Sequence, residues 1–244
     1  MDKNTSLENK IALITGASRG IGKAIAILLA QNGVNLSLNS RSEEGLKNLK
    51  EELEQYKVDI VLCPGDLQDT KTPSQIIKNT IEYFGRLDIL INNAGIAFSK
   101  PIEETTIGEW ELIMAVNTRA PFLLCKEAIP YLKKSDIPTI INISSVVGIK
   151  GYVNQGAYTA SKHALMGFTK VLAQEVHQYG IRVHIISPGG VATDIITQMR
   201  PDIEPSSLIA PEEIAEIVLF LLTHRGNAAI DEVNVRRNAS PPWR

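Results

Sequence analysis

The sequence lacks an excess of charge of either sign, and it contains no long basic stretch. Over 244 residues, 25 basic and 27 acidic side chains leave a formal net charge of -2. Surfaces that attract nucleic acid or anionic membranes carry clustered lysine and arginine, which this chain does not have. We therefore predict neither a nucleic-acid partner nor a membrane partner.

Cysteines, long apolar runs and metal-ligand spacings are also scarce. Cys63 and Cys125 lie in aliphatic stretches without CxxC or histidine spacing, which predicts buried thiols in a reducing compartment and no disulfide. The polar start of the chain has no signal-peptide core, and no apolar run reaches the ~18 residues of a membrane span. The four histidines form no paired-ligand spacing. These absences predict a cytoplasmic protein without a metal site.

What the sequence does contain is a regular alternation of short apolar strands with helical segments. Strands are predicted at 10–15, 34–39, 60–64, 87–92, 139–144, 182–187 and 231–235. Helices are predicted after Gly22 and at 42–55, 72–84, 106–116, 121–134, 157–179 and 211–223. This alternation predicts an α/β fold with a doubly wound, seven-stranded parallel sheet in a single domain spanning 1–244. Ligands of such sheets bind beyond the carboxyl ends of the strands, where the strand order reverses.

A glycine-rich turn joins the first predicted strand to an alanine-rich helix. Its glycines follow a GxxxGxG pattern, which by itself is compatible with a plain tight turn. The strand before it and the helix after it favour a phosphate-binding turn, because backbone N–H groups and the positive helix end can face a pyrophosphate. The predicted contacts are Gly16, Ser18, Arg19, Gly20, Ile21 and Gly22.

The end of the second strand predicts which dinucleotide is bound. An NAD site usually carries Asp or Glu there to bind the adenosine ribose hydroxyls. This chain has Asn39, Ser40 and Arg41 instead. Without a carboxylate to repel a 2′-phosphate, and with Arg41 and Arg19 able to pair with it, NADP(H) is the predicted cofactor.

Two further strand ends carry residues suited to the same ligand. Asp66 and Leu67 follow the third strand, where Asp66 can accept a hydrogen bond from the adenine amine. Asn93, Ala94 and Gly95 follow the fourth strand and combine an amide with small residues that allow close approach. Both groups are predicted to line the cofactor site.

The chemical end of the predicted site rests on Tyr158 and Lys162, which lie four residues apart on one helical face. A desolvated lysine can lower the pKa of a phenol from its usual value of about 10. One hydroxyl of the Ser144–Ser145 pair could hold a substrate carbonyl beside the phenol. Asn117 lies between two helical stretches, where a kink would expose its backbone carbonyl. Taken singly, each has a structural alternative as a turn residue or a chance spacing.

Together these motifs resemble the short-chain dehydrogenase/reductase family. The resemblance covers about residues 7 to 195. Within the family, the chain is most similar to the 3-oxoacyl-(acyl carrier protein) reductases. The motifs that carry it are Thr15-Gly-x-x-x-Gly-x-Gly22, Asn92-Asn-Ala-Gly95, Asn117, Ser145, Tyr158-x-x-x-Lys162 and Pro188-Gly-x-x-x-Thr193.

The resemblance implies a three-layer Rossmann fold and a catalytic tetrad. Tyr158 would exchange the proton, Lys162 would lower the pKa of the phenol and bind the nicotinamide ribose, Ser145 would hold the carbonyl, and Asn117 would anchor a relay water. The segment implied to contact the nicotinamide and its phosphates contributes Pro188, Gly189, Val191 and Thr193.

The implied activity is NADP(H)-dependent reduction of a small carbonyl substrate, free or linked to acyl carrier protein. The alternatives are a broad-specificity 3-hydroxy acid or alcohol dehydrogenase of the same family and a non-catalytic NADP-binding module. The resemblance also implies a homo-oligomer, dimer or tetramer, formed through the helices at 106–134 and 157–179.

Two segments depart from the family pattern. The substrate loop, about 194–210, is short, and a short lid is expected to leave the site more open. The tail, about 236–244, lacks a glycine-bearing final strand and resembles that of broad-specificity members. An apolar substrate pocket is expected from Val146, Ile149, Tyr152, Val153, Ile195 and Ile196.

Overall fold

The middle layer of the molecule is a parallel sheet, seen in a computed structural model that describes residues 5–200 and 202–242. Its strands are β1 Ile11–Thr15, β2 Asn35–Asn39, β3 Ile60–Leu62, β4 Ile89–Asn92, β5 Thr139–Ile143, β6 Arg182–Pro188 and β7 Glu232–Val235. Their order is β3-β2-β1-β4-β5-β6-β7, all seven in parallel pairing. The chain therefore reverses direction across the sheet between β1 and β4. This confirms the predicted doubly wound sheet and puts the expected ligand crevice at that point.

Helices cover both faces of the sheet. They are α1 Gly20–Gln31, α2 Glu43–Leu53, α3 Thr72–Phe84, α4 Ile107–Met114, α5 Ala120–Leu132, α6 Gly156–Val176, α7 Asp194–Met199 and α8 Pro211–Thr223. One core cluster joins α1, α2 and α8 to the sheet, and a second joins α3, α5 and α6 to its other face. The result is the three-layer, Rossmann-type single domain that the resemblance implied.

Burial on both faces explains why the strands read as continuous apolar runs. Along β1, Ala12 and Ile14 enter one core cluster, while Ile11 and Leu13 enter the other. Alternate side chains of a strand point to opposite faces, so a strand covered on both sides needs an apolar residue at every position. Each fully buried Leu or Ile contributes about 1.5–3 kcal/mol to the free energy of folding.

Local signals set several helix boundaries where they were predicted. The bounds of α3 and α8 match the predicted 72–84 and 211–223. Both helices have Pro in the first turn, where its missing N–H costs no hydrogen bond. Gly85 follows α3 with a φ of 75°, the left-handed conformation that ends helices.

Two elements depart from the sequence prediction. Between α4 and α5 the chain forms a π-helix over Ala115–Arg119, and α7 forms within the segment that was expected to be a loop. Both free cysteines are buried, as predicted. Across the part of the chain that the structure describes, no helix combines the length and hydrophobicity needed to cross a bilayer.

Candidate active site

The glycine-rich turn packs directly against the end of β4. Gly16 has a φ of 64°, and a Cβ on it would lie 2.9 Å from the Ala94 Cα. A Cβ on Gly22 would collide with the Gly16 carbonyl oxygen. Glycine is therefore required at 16 by close backbone approach and by its left-handed conformation, and at 22 by close backbone approach alone. The turn leaves its N–H groups and the start of α1 at the carboxyl edge of the sheet.

Thr15 and Asn93 hold this turn in place. The Thr15 hydroxyl accepts hydrogen bonds from the backbone N–H groups of Asn93 and Ala94, both at 3.1 Å. The Asn93 amide donates to the carbonyl oxygens of Thr15 at 2.9 Å and Gly16 at 3.2 Å. In the sequence, Thr15 stands out only as part of the family motif. Its position as the last residue of β1, facing the next strand end, is the signal that could have identified this role.

A single cavity of about 1610 Å³ runs along the carboxyl edge of the sheet from Asp66 to the C-terminal tail. All but one of the predicted cofactor contacts line it; the exception is Gly22, which lies beneath the turn. Ser145, Tyr158 and Lys162 line the same cavity. The structure thus brings the predicted phosphate-binding turn and the predicted acid–base residues into one site.

The start of α1 faces this cavity without a competing negative group. Arg19 occupies the N-cap position, its side chain makes no capping hydrogen bond, and the first turn contains no acidic residue. The unpaired N–H groups and the positive end of the helix dipole therefore remain available to an anion.

The end of β2 carries a buried residue that holds the backbone, Asn39, and is followed by an exposed cation, Arg41. The Asn39 amide is buried and donates to the carbonyl oxygens of Cys63 at 2.8 Å and Gly65 at 3.3 Å. Asn39 therefore ties β2 to the segment after β3, a structural role that the sequence did not predict. Arg41 is exposed at the cavity wall. Its guanidinium has no hydrogen-bond or ion-pair partner among the described residues, so it can bind a phosphate without breaking another contact.

Arg19 was expected to be available to a 2′-phosphate, but in the structure it already forms an ion pair. Its Nη1 is paired with an Asp194 carboxylate oxygen, and both side chains are more than half exposed. This ion pair spans the cavity from the glycine-rich turn to the start of α7. Exposed pairs contribute about 0–1 kcal/mol, so a phosphate can compete for Arg19.

Asp66 and Leu67 border the cavity at its far end from the tyrosine. One Asp66 carboxylate oxygen accepts a hydrogen bond from the backbone N–H of Gln68 at 2.9 Å, which fixes the side chain at the strand end. Leu67 is buried and joins the second core cluster. The second carboxylate oxygen of Asp66 is therefore available to a ligand. Leu67 packs behind the cavity wall.

The lysine of the predicted tetrad is buried. Lys162 is 3 % exposed, and its ammonium donates to the Ile143 carbonyl oxygen at 2.9 Å. A Cβ placed on Gly95 would lie 3.6 Å from the Lys162 Nζ, so the ammonium lies beside the end of β4. Burial lowers the pKa of Lys162 to about 8, because a charged amine loses hydration in the interior.

Tyr158 lies one turn before Lys162 on α6, but its environment shifts its pKa in the direction opposite to the expected one. Burial raises the pKa of the phenol, and a hydrogen bond with the Ser145 side chain offsets this only in part. The ammonium of Lys162 bonds to Ile143, not to the phenol. In this structure Tyr158 is a neutral phenol beside Ser145, in the protonation state of a proton donor. Lowering of its pKa by Lys162 stays a prediction.

Asn117 lies inside the π-helix and is fully buried. Its amide oxygen accepts from the Ile96 N–H at 2.9 Å, and its amide nitrogen donates to the Ile96 carbonyl at 2.9 Å. The extra residue of a π-helix interrupts the regular hydrogen-bond ladder, in agreement with the kink expected at Asn117. The side chain does not line the cavity, and its relay role stays a prediction.

Ser161 links the π-helix to the helix that carries the tyrosine. The Asn117 amide nitrogen donates to the Ser161 hydroxyl at 3.0 Å, and that hydroxyl donates to the Tyr158 carbonyl oxygen at 2.8 Å. Sequence reasoning missed Ser161. Its place next to Lys162, on the face of α6 that must meet the preceding helices, is the signal that could have suggested it.

The segment after β6 passes over the glycine-rich turn. A Cβ on Gly20 would lie 3.0 Å from the Thr193 Cγ2. The Gly189 N–H donates to the Val235 carbonyl at 2.7 Å, and Val191 forms a bridge with Ile209. Pro188, Gly189, Val191 and Thr193 line the same cavity as Tyr158. Their contact with the nicotinamide, which the family resemblance implies, stays a prediction.

The short substrate loop forms one wall of the cavity, and the expectation that it leaves the site more open stays a prediction. Its α7 and a short 3₁₀-helix at Pro205–Ser207 place Ile195, Ile196, Met199, Arg200 and Ile203 on the cavity. Of the six apolar residues expected to form the pocket, Val153 alone does not line it and is 89 % exposed. The C-terminal tail adds a second wall, contributed by Arg236, Arg237, Ser240, Pro241 and Pro242.

Comparison with known proteins places this site in a familiar context. The chain matches the family model described as short chain dehydrogenase over residues 10–204. An uncharacterized oxidoreductase of Thermotoga maritima is 37% identical over 229 residues, covering 88% of this chain and 90% of that protein. The 3-oxoacyl-[acyl-carrier-protein] reductase of the same organism is 32% identical over 237 residues, covering 93% and 96%.

A solved structure gives the same result in three dimensions. The crystal structure of a metagenomic short-chain oxidoreductase in complex with NADP superposes with a TM-score of 0.84 at 32% identity, covering 97% of this chain and 100% of that chain. The family match spans the glycine-rich turn, the Ser145–Tyr158–Lys162 cluster and the segment after β6. The chain therefore belongs to the short-chain dehydrogenase family of oxidoreductases.

Proposed function

We propose that this protein is an NADP(H)-dependent oxidoreductase that reduces a carbonyl compound to a secondary alcohol by hydride transfer. The observation that carries the proposal is the single cavity that holds both the glycine-rich turn and the Ser145, Tyr158 and Lys162 side chains. A nucleotide sensor would need only the first of these. The second supplies an acid and a hydrogen-bond donor where a carbonyl oxygen would develop negative charge.

The residues fit the cofactor that this reaction requires. Glycines at 16 and 22 let the turn pack against the end of β4, the start of α1 presents free N–H groups, and Arg41 is exposed where a carboxylate would mark an NAD site. The related metagenomic enzyme was solved with NADP. We assign NADP(H) as the cofactor, which supplies or accepts the hydride when bound.

The chain's own residues then move the proton. Tyr158, kept neutral by burial, donates its phenolic proton to the carbonyl oxygen as hydride reaches the carbonyl carbon, and Ser145 donates a hydrogen bond to the same oxygen. The Lys162 ammonium, held by the Ile143 carbonyl, stabilises the phenolate that this transfer leaves. In the oxidative direction Tyr158 would take the proton back, so a 3-hydroxy acid or alcohol dehydrogenase is the second candidate, using the same residues.

The substrate of the reductive reaction is proposed as a 3-oxoacyl thioester or another ketone. The similarity to the Thermotoga maritima 3-oxoacyl-[acyl-carrier-protein] reductase supports a thioester, including one carried by acyl carrier protein. The apolar wall formed by Ile149, Ile195 and Ile196 suits an acyl chain equally well with or without a carrier.

A homo-oligomer, dimer or tetramer, is proposed from the exposed apolar side chains of the helices that flank the site. Ile107 on α4, Phe122 on α5 and Val171 on α6 are 73 %, 47 % and 54 % exposed. Side chains of this kind clustered on adjacent helices mark association surfaces. Light scattering during size-exclusion chromatography tests this, with a monomer mass as the contradicting result. A cytoplasmic location stays a prediction.

The decisive experiment measures NADPH consumption against ketones and acetoacetyl thioesters, with wild type, Tyr158→Phe and the surface control Tyr83→Phe. Tyr158→Phe removes the donated proton and is expected to lower kcat by about 10³-fold while NADPH still binds, since general acid catalysis contributes about 10²–10⁴-fold. Tyr83→Phe should match wild type. Turnover that Tyr158→Phe leaves intact, or NADPH binding with no turnover of any substrate, contradicts the enzymatic function.

A further inference from the structure

The C-terminal tail leaves the sheet beside the reaction centre. In the parallel pair of β6 and β7, Val235 lies opposite Pro188, and its carbonyl accepts the Gly189 N–H at 2.7 Å. Pro188 and Gly189 begin the segment after β6 that lines the cavity. Whatever follows Val235 must therefore enter the cavity wall at the substrate end.

Arg236 folds the tail into a compact turn. Its Nη1 donates to the carbonyl oxygens of Arg237 at 3.2 Å, Asn238 at 3.1 Å and Ser240 at 2.8 Å. Three carbonyls gathered on one guanidinium nitrogen bring Ser240, and with it Pro241 and Pro242, onto the cavity. The tail is thus built into the site by a side chain of its own.

Arg237 connects this tail to the substrate loop. Its Cδ lies 3.3 Å from the position of a Cβ on Gly190, and its Nη1 donates to the Ser207 hydroxyl at 3.1 Å. Within residues 5–200 and 202–242 this is the one hydrogen bond that the guanidinium makes. An arginine carries five N–H donors, so most of its donor capacity remains for a ligand in the cavity that it lines.

The other cations at this end are committed to protein partners. Arg200 forms a bidentate pair with Asp202, with distances of 2.7 and 2.6 Å. Arg236 binds the tail carbonyls, and Lys150 lies 5.6 Å from the Tyr152 ring centroid. Asp194 faces this region as well but pairs with Arg19. Asp202 lies close enough to Arg237 for the guanidinium to lower its pKa, although Arg200 contributes more.

Four cationic side chains, Lys150, Arg200, Arg236 and Arg237, therefore line the substrate end, against Asp194 and nearby Asp202. The surplus is positive, in a recess with apolar walls where electrostatic attraction is stronger than in bulk water. A neutral ketone would gain nothing from this surplus, whereas a substrate with a negative group would be attracted and oriented.

We propose that Arg237, presented by the C-terminal tail and braced by Ser207, binds an anionic group of the carbonyl substrate, a carboxylate or a phosphate. The planar guanidinium matches both groups because each can accept two parallel N–H bonds. This inference rests on the proposed oxidoreductase function and adds to it the chemical class of substrate that the site selects.

The test compares matched anionic and neutral substrates in wild type and Arg237→Gln. The carboxylate arm uses a 3-oxo acid and its methyl ester; the phosphate arm uses acetoacetyl coenzyme A and the acetoacetyl thioester of N-acetylcysteamine. Wild type is expected to favour the anionic member of at least one pair. Arg237→Gln should lower kcat/KM for that member by about tenfold or more, mainly through KM, and should change the neutral member less than about twofold.

Control variants separate charge, geometry and folding. Lys170→Gln removes one positive charge from the exposed surface of α6 and should leave all four substrates unchanged. Arg237→Lys keeps the positive charge but loses the paired N–H donors of the guanidinium. It should therefore retain only part of the anionic preference that Arg237→Gln loses. Binding of NADPH and the thermal midpoint of Arg237→Gln should match those of wild type.

Each outcome of this experiment either identifies the anionic group that Arg237 binds or contradicts the proposal. A loss confined to the 3-oxo acid identifies a carboxylate, and a loss confined to the coenzyme A thioester identifies a phosphate. Equal effects of Arg237→Gln on anionic and neutral members overturn the inference, as does a wild type without anionic preference, while the oxidoreductase function stands. Absence of any turnover by wild type contradicts the proposed function itself.

Discussion

The two ends of the cavity are built by different means. At the nucleotide end, buried and partly buried hydrogen bonds of Thr15, Asn39 and Asn93 join one strand end to the next. At the substrate end, a six-residue helix, a 3₁₀ turn and the tail are held by exposed contacts of Arg19, Arg200 and Arg236 and by a partly buried contact of Arg237. Scaffold residues held from several strands keep one geometry, whereas loops joined by exposed side chains can change without unfolding the domain.

This difference explains where cofactor use and substrate choice reside. Backbone N–H groups and glycines recognise a phosphate whatever the substrate is, so the nucleotide end can stay constant among relatives. In the proposed reaction, substrate selection would depend on the loops and the tail, which can vary at little cost to stability. The mutations that follow separate the two ends by their effects on stability, cofactor binding and turnover.

The largest effect is expected at the most tightly packed point of the nucleotide end. Gly22→Ala places a methyl group against the Gly16 carbonyl oxygen, which belongs to backbone that Asn93 holds in place. It should lower the free energy of unfolding by about 3 kcal/mol, the upper range for overpacking, and should abolish NADPH binding. Urea unfolding and fluorescence titration with NADPH measure both effects.

Gly108→Ala is the control for this change, because a Cβ at Gly108 meets nothing within 4 Å. It should leave stability unchanged or slightly higher. Equal stability of Gly22→Ala and Gly108→Ala would show that the turn relaxes, and would remove the distinction between a rigid and a variable end.

Lys162 should make the stability of the folded state depend on pH. Burial lowers its pKa to about 8 from 10.5, so between these values the unfolded chain keeps a proton that the folded chain has lost. The free energy of unfolding therefore rises with pH in this window. From about pH 7 to about pH 9.5, wild type should gain about 2 kcal/mol relative to Lys162→Met.

Urea unfolding of both proteins at the two pH values measures this difference. Lys162→Met should lose turnover at both, because the phenolate of Tyr158 loses its positive neighbour. Parallel stability profiles for the two proteins would mean that the ammonium is well hydrated and does not stabilise a buried phenolate.

Arg41 should affect cofactor choice without affecting folding. Arg41→Asp replaces an exposed cation at the cavity wall by a charge that repels a 2′-phosphate. The dissociation constant for NADPH should rise by about 10–100-fold, whereas that for NADH should change by less than about threefold, since a charge-assisted pair contributes about 1.5–3 kcal/mol. Lys50→Asp, on exposed α2, is the matched control. Equal weakening of both cofactors would remove the NADP(H) assignment.

The smallest effect is expected at the junction between the π-helix and α6. Ser161→Ala removes the hydroxyl that bridges the Asn117 amide and the Tyr158 carbonyl, which should cost about 1 kcal/mol of stability. As a positioning residue, Ser161 should affect kcat more than KM, with a decrease of about fivefold, or about 1 kcal/mol in the activation barrier.

Thr159→Ala is the control on the same helix, because the Thr159 hydroxyl is buried without a hydrogen-bond partner among the described residues. It should leave kcat unchanged. Ser161→Ala could lower stability while Thr159→Ala lowers kcat by the same factor as Ser161→Ala does. That result would show that the Ser161 junction is structural and does not position Tyr158.

Much of the framework could be predicted because its signals are local. Pro and Gly at the ends of α3 and the apolar runs of the strands act through backbone conformation and burial, which depend on neighbouring residues. The π-helix at 115–119 could not be predicted in this way. Within it, the Asn117 side chain bonds both backbone polar groups of Ile96, which lies 21 residues earlier in the chain. Val153 likewise reads as apolar pocket lining, yet it lies outside the cavity and is exposed to solvent.

Residue types and their spacing along the chain specify the alternating fold, the glycine-rich turn, the family and the side chains present at the reaction centre. These properties depend on residue type and spacing, which the chain carries before it folds. The tertiary structure alone decided that Asn39 is an anchor, that Arg19 pairs with Asp194, and that the C-terminal tail closes the substrate end. Those outcomes depend on which distant segments meet at the edge of the sheet, because pairing and burial of a polar side chain are set by its neighbours in space.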